Sequence, residues 1–414
     1  MSDEQVFSKV CRLLDGLKEE MIEIQVKLTS LPALGPENGG RGEWERARFL
    51  EKYILNRKIG EVVHLDAPDE RVPEKTRPNL LVRLRGKKQR PTLWVMAHLD
   101  VVPAGDETQW QTPPFEAVVK DGRIYGRGTE DNQQGMVSAL FALRALSESG
   151  VRPPSDVVLM LVSDEETGSK YGVEYILEKH SDLFQPGDLV IVPDAGSPDG
   201  SAIEVAEKSI LWVKFEITGK QVHASTPHLG TNALRAAAHL ITALDSSLHQ
   251  KFADSDEVFD PPQSTFEPTK HEANVPNVNT VPGKEVFYLD CRVLPRHDLN
   301  SIKAVLKEHA ELVEKQFQVK VDVSYPNEAQ AAPPTAADSQ VVVRLARAIR
   351  KVRGVEPRPI GIGGGTVAAL FRRKGLPAVV WGTLEDLAHQ PNEFCVIENL
   401  ASDAKVFSHL FMNA

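Results

Sequence analysis

The chain has little cysteine, no long apolar run and no basic patch. Its 414 residues include 3 cysteines, which are far apart and form no Cys-x-x-Cys pair. Such cysteines are typical of reduced thiols in a cytoplasmic protein. No apolar stretch approaches the roughly 20 residues that are needed to span a bilayer. These absences argue against a disulfide-rich secreted protein and against a membrane protein.

The net charge and the first residues argue against further classes of binding partner and of cellular location. The net charge is −10, so we expect neither a nucleic acid nor a membrane surface as a partner. Residues 1–5 lack the basic and apolar regions of a signal peptide, which again predicts a cytoplasmic location. The length is enough for two or three domains with their own cores.

The most informative stretch is an apolar run that ends in polar residues. Residues 93–97 are all apolar, and they are followed by His98 and, two places later, by Asp100. A short apolar run of this kind is typical of a strand that is buried on both faces. In an open α/β sheet, ligands bind just beyond the carboxyl ends of such strands. His98 and Asp100 are therefore candidates for a functional site.

Two later apolar runs end in the same way. Residues 157–162 lead into Glu165 and Glu166, and residues 189–192 lead into Asp194. Each of these residues by itself has a structural explanation, because acidic residues are common in solvated turns. Their convergence at strand ends favours a shared site.

Alternating strand and helix patterns predict the fold class. Residues 1–208 and 328–414 read as one α/β domain, with a mostly parallel sheet sandwiched by helices. The first helix is predicted as one long element over residues 6–28. Residues 209–327 show the order strand, helix, strand, strand, helix, strand, which is typical of a ferredoxin-like α+β fold. We predict that this second region is inserted into the first.

Seven residues could carry chemistry: His98, Asp100, Asp131, Glu165, Glu166, Asp194 and His389. Asp131 stands at a predicted helix start, where it could simply be an N-cap. Lysine and arginine are sparse beside these residues. Carboxylates that are brought together repel one another unless a cation lies among them.

Two histidines with three or four carboxylates suit a pair of divalent metal ions. Zinc is the first choice, with cobalt or manganese as alternatives. The sequence has no HExxH motif, which excludes the thermolysin arrangement, and no GxSxG motif. The glycine run 363–365 has no adjacent lysine, which argues against a phosphate loop.

The candidate residues lie within an ordered set of short motifs. The motifs are, in order, His98-Leu-Asp100, Gly126-Arg-Gly-Thr-Glu-Asp131, Asp164-Glu165-Glu166-Thr-Gly, Pro193-Asp194-Ala-Gly, Val222-His223-Ala-Ser, Asn279-Thr-Val-Pro282, Asp290-Cys-Arg292 and Ala388-His389-Gln-Pro-Asn-Glu393. This set resembles the metallopeptidase family of aminoacylase-1, acetylornithine deacetylase, succinyl-diaminopimelate desuccinylase and glutamate carboxypeptidase. The resemblance covers roughly residues 90 to 395.

The resemblance implies a two-metal site in which Asp131 bridges. One ion would be bound by His98, Asp131 and Asp194, and the other by Asp131, Glu166 and His389. Asp100 would orient the ring of His98. The resemblance also implies a cis peptide bond between Asp131 and Asn132.

Further roles follow from the same resemblance. Glu165 would be the general base that takes a proton from the metal-activated water. His223 would stabilise the oxyanion in the active site of a partner subunit, so the inserted domain would serve as a lid and for homodimerisation. On spacing alone, a polar residue at an exposed strand end is the favoured interpretation of His223, and it is the resemblance that favours the catalytic role.

Substrate contacts are also implied. Arg292 and Asn279 would bind the terminal carboxylate of the substrate, although Arg292 also suits a surface ion pair. Gly364, Gly365 and Thr366 would line the pocket with backbone amides. Many relatives have an acidic residue where this chain has Val367, which limits any transfer of substrate specificity.

Two hypotheses from different classes result. The first is a cytoplasmic two-zinc amidohydrolase that cleaves N-acyl amino acids or short peptides, with an N-acyl diamino acid such as succinyl-diaminopimelate or acetylornithine as the preferred substrate. Carboxypeptidase or dipeptidase activity is the alternative within the family. The second hypothesis is a non-catalytic metal-binding protein with the same fold.

Overall fold

The structure is a computed structural model that describes residues 2–414. Its α-helices are, in chain order, α1 (Asp3–Gly16), α2 (Lys18–Thr29), α3 (Trp44–Arg57), α4 (Gln133–Ser149), α5 (Val173–Lys179), α6 (Ala233–Lys251), α7 (Leu299–Phe317), α8 (Gln340–Arg353), α9 (Ala368–Arg373) and α10 (Ile397–Met412). None of the helices within residues 2–414 is long and apolar enough to cross a membrane.

The strands of the same residues vary from two to eleven residues in length. They are β1 (Glu61–His64), β2 (Ala67–Pro68), β3 (Thr76–Arg77), β4 (Leu80–Leu84), β5 (Lys88–His98), β6 (Val118–Lys120), β7 (Arg123–Tyr125), β8 (Ser155–Val162), β9 (Leu189–Val192), β10 (Ala202–Glu207), β11 (Ser209–Thr218), β12 (Val222–His223), β13 (Thr265–His271), β14 (Thr280–Val281), β15 (Lys284–Val293), β16 (Lys320–Ala329), β17 (Arg358–Ile362), β18 (Ala378–Val380) and β19 (Phe394–Val396).

The chain divides into two compact units. The first unit runs through Val205 and includes Thr335–Pro359 and Val367–Ala414, whereas the second comprises Ala206–Pro334 and Ile360–Thr366. The segment 360–366, which the sequence pattern did not separate from the α/β region, thus groups with the second unit.

A large sheet organises the first unit. Its strand order is β1-β4-β8-β5-β9-β18-β10-β17. The four central strands β8, β5, β9 and β18 are parallel to one another. Side chains of β5, β8 and β9 pack with those of α5 and α9 in one apolar cluster, and α4 packs against β5 and β8. The mostly parallel sheet covered by helices confirms the predicted fold class.

The second unit contains a four-stranded sheet with the order β13-β15-β11-β16. All of its pairings are antiparallel, and α6 and α7 pack against it around a common apolar core. Counted along the chain, this order is 2-3-1-4, which is the ferredoxin-like arrangement predicted from the element sequence. The ribbon of β12 and β14 is an addition to that arrangement.

The prediction of one helix over residues 6–28 was wrong. The structure has two helices, α1 and α2, which are separated at Leu17. The apolar spacing continues through the break, so periodicity alone does not detect it. Gly16, which ends α1, is a poor helix former, and that is the local signal for the interruption.

Candidate metal centre and its surroundings

The candidate site lies at the carboxyl ends of the four central parallel strands. His98 is the last residue of β5, and the turn with Glu166 follows β8. Asp194 stands two residues beyond β9, and the loop that follows β18 carries His389. Carboxyl ends of parallel strands meet at one edge of a sheet, so sequence-distant residues converge there.

Asp131 lies between the two histidines. Its Oδ1 is 2.9 Å from Nε2 of His98, and its Oδ2 is 3.4 Å from Nε2 of His389. Asp194 Oδ1 is 3.3 Å from the His98 nitrogen, and Glu166 Oε2 is 3.0 Å from the His389 nitrogen. The two oxygens of one carboxylate therefore face two separate groups of ligands.

Each group offers three donor atoms that lie within 4.8 Å of one another. The groups are His98, Asp131 and Asp194, and Asp131, Glu166 and His389. Imidazole and carboxylate donors without thiolates suit zinc, cobalt or manganese and leave coordination positions open. The donor set therefore fits a pair of divalent ions bridged by Asp131.

The ring of His98 is oriented by the backbone. Its Nδ1 lies 3.1 Å from the carbonyl oxygen of Asp100, which only accepts hydrogen bonds. Nδ1 therefore carries the proton in the neutral ring, and Nε2 is directed at Asp131 and Asp194. This is the tautomer that a metal ligand requires.

The carboxylate of Asp100 binds the turn that presents Glu165 and Glu166. Its two oxygens accept hydrogen bonds from the backbone N–H groups of Glu165 and Glu166, at 3.1 and 3.0 Å. The carboxylate also lies 3.5 Å from Nδ1 of His98. Asp100 thus links the end of β5 to the turn that presents both glutamates.

The side chain of Asn132 makes hydrogen bonds at the site that the sequence did not predict. Its Nδ2 donates to Asp194 Oδ1 at 2.7 Å and to the carbonyl of Pro193 at 2.6 Å, and its Oδ1 accepts from the backbone N–H of His98 at 3.3 Å. The peptide bond between Asp131 and Asn132 is cis, as the resemblance implied. Asn132, and not Asp131, occupies the N-cap position of α4.

Charge in the site is concentrated and poorly solvated. Burial and the nearby carboxylate of Asp194 raise the pKa of Glu165 well above its usual value, and burial also raises the pKa of Glu166. Burial would also raise the pKa of Asp131, but hydrogen bonds from His389 and His98 lower it below the usual range. A cation among these groups would offset their mutual repulsion.

The pKa values of the two histidines are also raised, which favours the charged form of each ring. Hydrogen bonds to Asp131 and Glu166 raise the pKa of His389 to about 10. Burial would lower the pKa of His98, but Asp194 and the other carboxylates around the ring raise it well above its usual value. The imidazole of His389 is therefore protonated at neutral pH, and a metal ion that binds it would have to displace that proton.

In the second unit, two predicted residues lie on one ribbon. His223 belongs to β12, and Ala224 donates its backbone N–H to the carbonyl of Asn279 at 2.8 Å, just before β14. The backbone N–H of Ser225 donates to Nδ1 of His223 at 3.2 Å. Nδ1 is therefore the acceptor, and the neutral ring carries its proton on Nε2, which is the form an oxyanion donor needs.

Arg292 is held in place within the second unit. Its Nε and Nη2 donate to the carboxylate of Asp290 at 2.7 and 3.2 Å, and its Nη1 donates to the carbonyl of Gly363 at 2.8 Å. These bonds leave one further N–H on each of Nη1 and Nη2. The backbone N–H of Thr366 donates to Glu207 at 3.1 Å, while an added Cβ at Gly364 or Gly365 would meet no neighbouring atom.

The fold and the paired ligand groups define a metal-dependent hydrolase. The model of the peptidase family M20/M25/M40 matches residues 94–413, and the chain belongs to that family. An uncharacterised metallohydrolase of Methanocaldococcus jannaschii is 38% identical over 404 residues, covering 94% of this chain and 98% of the relative. The succinyl-diaminopimelate desuccinylase of a Sulfurovum species is 27% identical over 392 residues, covering 94% and 97%.

Solved structures share the fold at low sequence identity. The aminopeptidase PepT of Bacillus cereus has a TM-score of 0.75 at 22% identity, covering 95% of this chain and 98% of that one. A dinuclear metal binding peptidase of Bacillus subtilis has a TM-score of 0.66 at 14% identity, covering 96% and 98%. At these identities the likeness extends to the fold alone.

Proposed function

We propose that the protein hydrolyses the amide bond of an N-acyl amino acid or a short peptide, using two divalent metal ions. Zinc is the metal we favour, bound by His98, Asp131, Glu166, Asp194 and His389. The observation that carries the proposal is the placement of Asp131, whose two oxygens face His98 and His389 at 2.9 and 3.4 Å. A shared carboxylate between two open ligand groups is typical of two-metal hydrolytic sites.

Bound metal ions would polarise the scissile carbonyl and lower the pKa of a water molecule. Glu165 is the general base in this proposal. Asp100 fixes the backbone of the turn, so Glu166 belongs to the ligand group while the adjacent Glu165 remains for proton transfer. The poorly solvated carboxylate of Glu165 would accept a proton from the water molecule and then donate it to the leaving amine.

Substrate recognition is assigned to the second unit. Arg292, fixed by Asp290, retains two N–H groups that suit a carboxylate. Asn279 and the backbone of Gly364, Gly365 and Thr366 would complete the pocket. His223 would donate its Nε2–H to the oxyanion, in the active site of a partner subunit. In this assignment the inserted region, residues 209–327, is a lid and a homodimerisation domain, and residues 1–208 and 328–414 form the catalytic domain.

The substrate that we favour is an N-acyl diamino acid, as in the relatives named succinyl-diaminopimelate desuccinylase. Cleavage of dipeptides or of carboxy-terminal residues is the alternative within the peptidase family. In either case the leaving group is a free amine, and a cytoplasmic location suits both kinds of substrate.

A hydrolysis panel tests the proposal. The zinc- and cobalt-loaded protein would be incubated with succinyl-diaminopimelate, acetylornithine, N-acetyl amino acids and dipeptides, and amine release would be measured. Glu165→Gln is the matched variant, because it retains all five ligands. We expect it to lower turnover by about 10²–10⁴-fold without loss of metal. Normal turnover by this variant would rule out the mechanism, and full metal occupancy with no hydrolysis across the panel would favour a non-catalytic metal-binding protein.

A further inference from the structure

We propose that Glu130, Glu393 and Arg127 act together as positioning residues that set the spacing between Asp131 and His389. We call these three residues the carboxylate clamp. The inference deepens the proposed function and rests on it, because the spacing matters only if the two ligands share a metal ion.

Glu393 binds the loop that presents Asp131. Its Oε1 accepts the backbone N–H groups of Glu130 and Asp131 at 2.9 and 3.0 Å. Its Oε2 accepts the backbone N–H of Gly128 at 3.0 Å and Nη1 of Arg127 at 2.7 Å. One carboxylate thus receives four hydrogen bonds from a six-residue loop that ends at the bridging ligand.

Glu130 in turn binds the backbone of the loop that presents His389. Its Oε2 accepts the backbone N–H of Leu387 at 2.6 Å, and its Oε1 accepts the backbone N–H of Glu385. Arg127 adds a bond from Nη2 to the carbonyl of His389 at 3.3 Å. Each loop therefore contributes a carboxylate that binds the backbone of the other.

His389 needs such support more than His98 does. His98 ends the buried strand β5, whereas His389 lies in an irregular loop with a side chain that is 58% exposed. The backbone φ of His389 is +65°, a left-handed conformation that is uncommon outside glycine. Such a conformation persists where surrounding contacts enforce it.

The three residues of the carboxylate clamp are buried, so the loss of one hydrogen-bond partner among them should destabilise the others. The relative exposures of Glu393, Arg127 and Glu130 are 0%, 2% and 3%. Charged groups at this depth are stabilised by multiple hydrogen bonds, and removal of one partner leaves the others unpaired. A change at Glu130 should therefore displace the loop of His389, which belongs to one ligand group, whereas a change at Glu393 should displace the loop of Asp131, which belongs to both.

The test compares stepwise metal affinities. Glu393→Gln and Glu130→Gln would be made in the full chain, stripped with a chelator, and titrated with zinc against a competing chelator. Cobalt spectra would report the coordination of each equivalent. Outer contacts of metal ligands typically alter affinity by about 10–100-fold. We expect a loss of that size for one equivalent in Glu130→Gln, with the other changed much less, and for both equivalents in Glu393→Gln, because Asp131 belongs to both ligand groups.

Asp188→Asn is the matched control. Asp188 is also fully buried and accepts four hydrogen bonds, from the backbone N–H of Thr92 and Gln185 and from the side chains of Arg90 and Trp94. It stands before β9, at the end of the sheet opposite the ligands. Its substitution should lower thermal stability without a selective change in either metal affinity.

The outcomes separate the clamp from the proposed function. A loss of metal affinity in the clamp variants that is absent in Asp188→Asn, confined to one equivalent in Glu130→Gln, supports the clamp even if no substrate of the panel is cleaved. Equal losses in all three variants, or no loss in either clamp variant, would overturn it. If Glu393→Gln does not fold, Glu130→Gln decides by the same comparison, and failure of both to fold would assign the clamp a purely structural role. Fewer than two zinc equivalents in the unsubstituted chain would also overturn it.

Discussion

Asp131 is the residue that both candidate metal positions share. Its Oδ1 faces His98 and its Oδ2 faces His389, while Asp194 and Glu166 each belong to one ligand group only. Asp131→Ala should therefore abolish tight binding of both ions, whereas Asp194→Ala should weaken one. Metal content after dialysis, measured by atomic emission, distinguishes the two variants. Retention of one tightly bound ion by Asp131→Ala would contradict a bridging role.

Metal binding should release a proton from the ring of His389. The pKa of His389 is raised to about 10 by Asp131 and Glu166, so its ring is protonated at pH 7. A metal ion binds only the neutral imidazole and must displace that proton. Metal affinity should therefore rise with pH up to about 10 and then level off for this ligand.

Calorimetry in buffers with different ionisation enthalpies measures this release. At pH 7 the heat of zinc binding should depend on the buffer, and in His389→Ala it should depend on it less. A buffer-independent heat in the unsubstituted protein would show that the imidazoles are already neutral. Asp188→Asn again serves as the control, because its carboxylate lies outside both ligand groups.

Among the elements, three of the four central strands were the most predictable. Uninterrupted apolar runs identified β5, β8 and β9, because strands in the middle of a parallel sheet are buried on both faces. The polar residues that follow those runs were therefore expected at one edge of the sheet. The ligand roles themselves came from the family resemblance and not from the apolar pattern.

Other contacts could not be read from the sequence. Glu393 and its backbone partners are more than 260 residues apart, and hydrogen bonds to backbone N–H groups leave no pattern in side-chain type. Asn132 bonds to Asp194 across 62 residues, a separation that no local sequence pattern covers. The positions of Glu393 and Asn132 depend on how the strands assemble into the sheet. The periodicity of apolar residues does not predict that assembly.

Gly135 lies where α4 closely approaches the turn that carries Asp194. A Cβ at this position in α4 would overlap with the carbonyl oxygen of Pro193, which directly precedes Asp194. Gly135→Ala should therefore lower the free energy of unfolding by about 1–3 kcal/mol and weaken metal binding. Gly16→Ala in α1 is the control, because no neighbouring atom lies near its added Cβ. Denaturant unfolding with unchanged stability in Gly135→Ala would contradict the close approach of α4 to this turn.

For the whole molecule, mixed dimers can test whether His223 serves the active site of a partner subunit. Glu165 belongs to the first unit and His223 to the second. If His223 serves the partner subunit's active site, a mixed dimer of Glu165→Ala and His223→Ala chains contains one complete site.

Random mixing of those two inactive variants after unfolding and refolding should restore about a quarter of the unsubstituted activity, because half of the dimers are mixed and each has one working site. The measurement is turnover of the mixture against each variant alone, with sedimentation to establish the dimer. No recovery in a mixture that forms dimers would place His223 in the site of its own chain.

We propose that amide hydrolysis requires two metal ions bridged by Asp131. The most direct measurement is a zinc titration of the stripped protein in which bound metal and amine release from a cleaved substrate are followed together. Two equivalents per chain should bind, with hydrolysis rising as they bind and with Glu165→Gln binding both but turning over about 10²–10⁴-fold more slowly. Full hydrolysis by the stripped protein, or tight binding of fewer than two equivalents at full activity, would contradict the account.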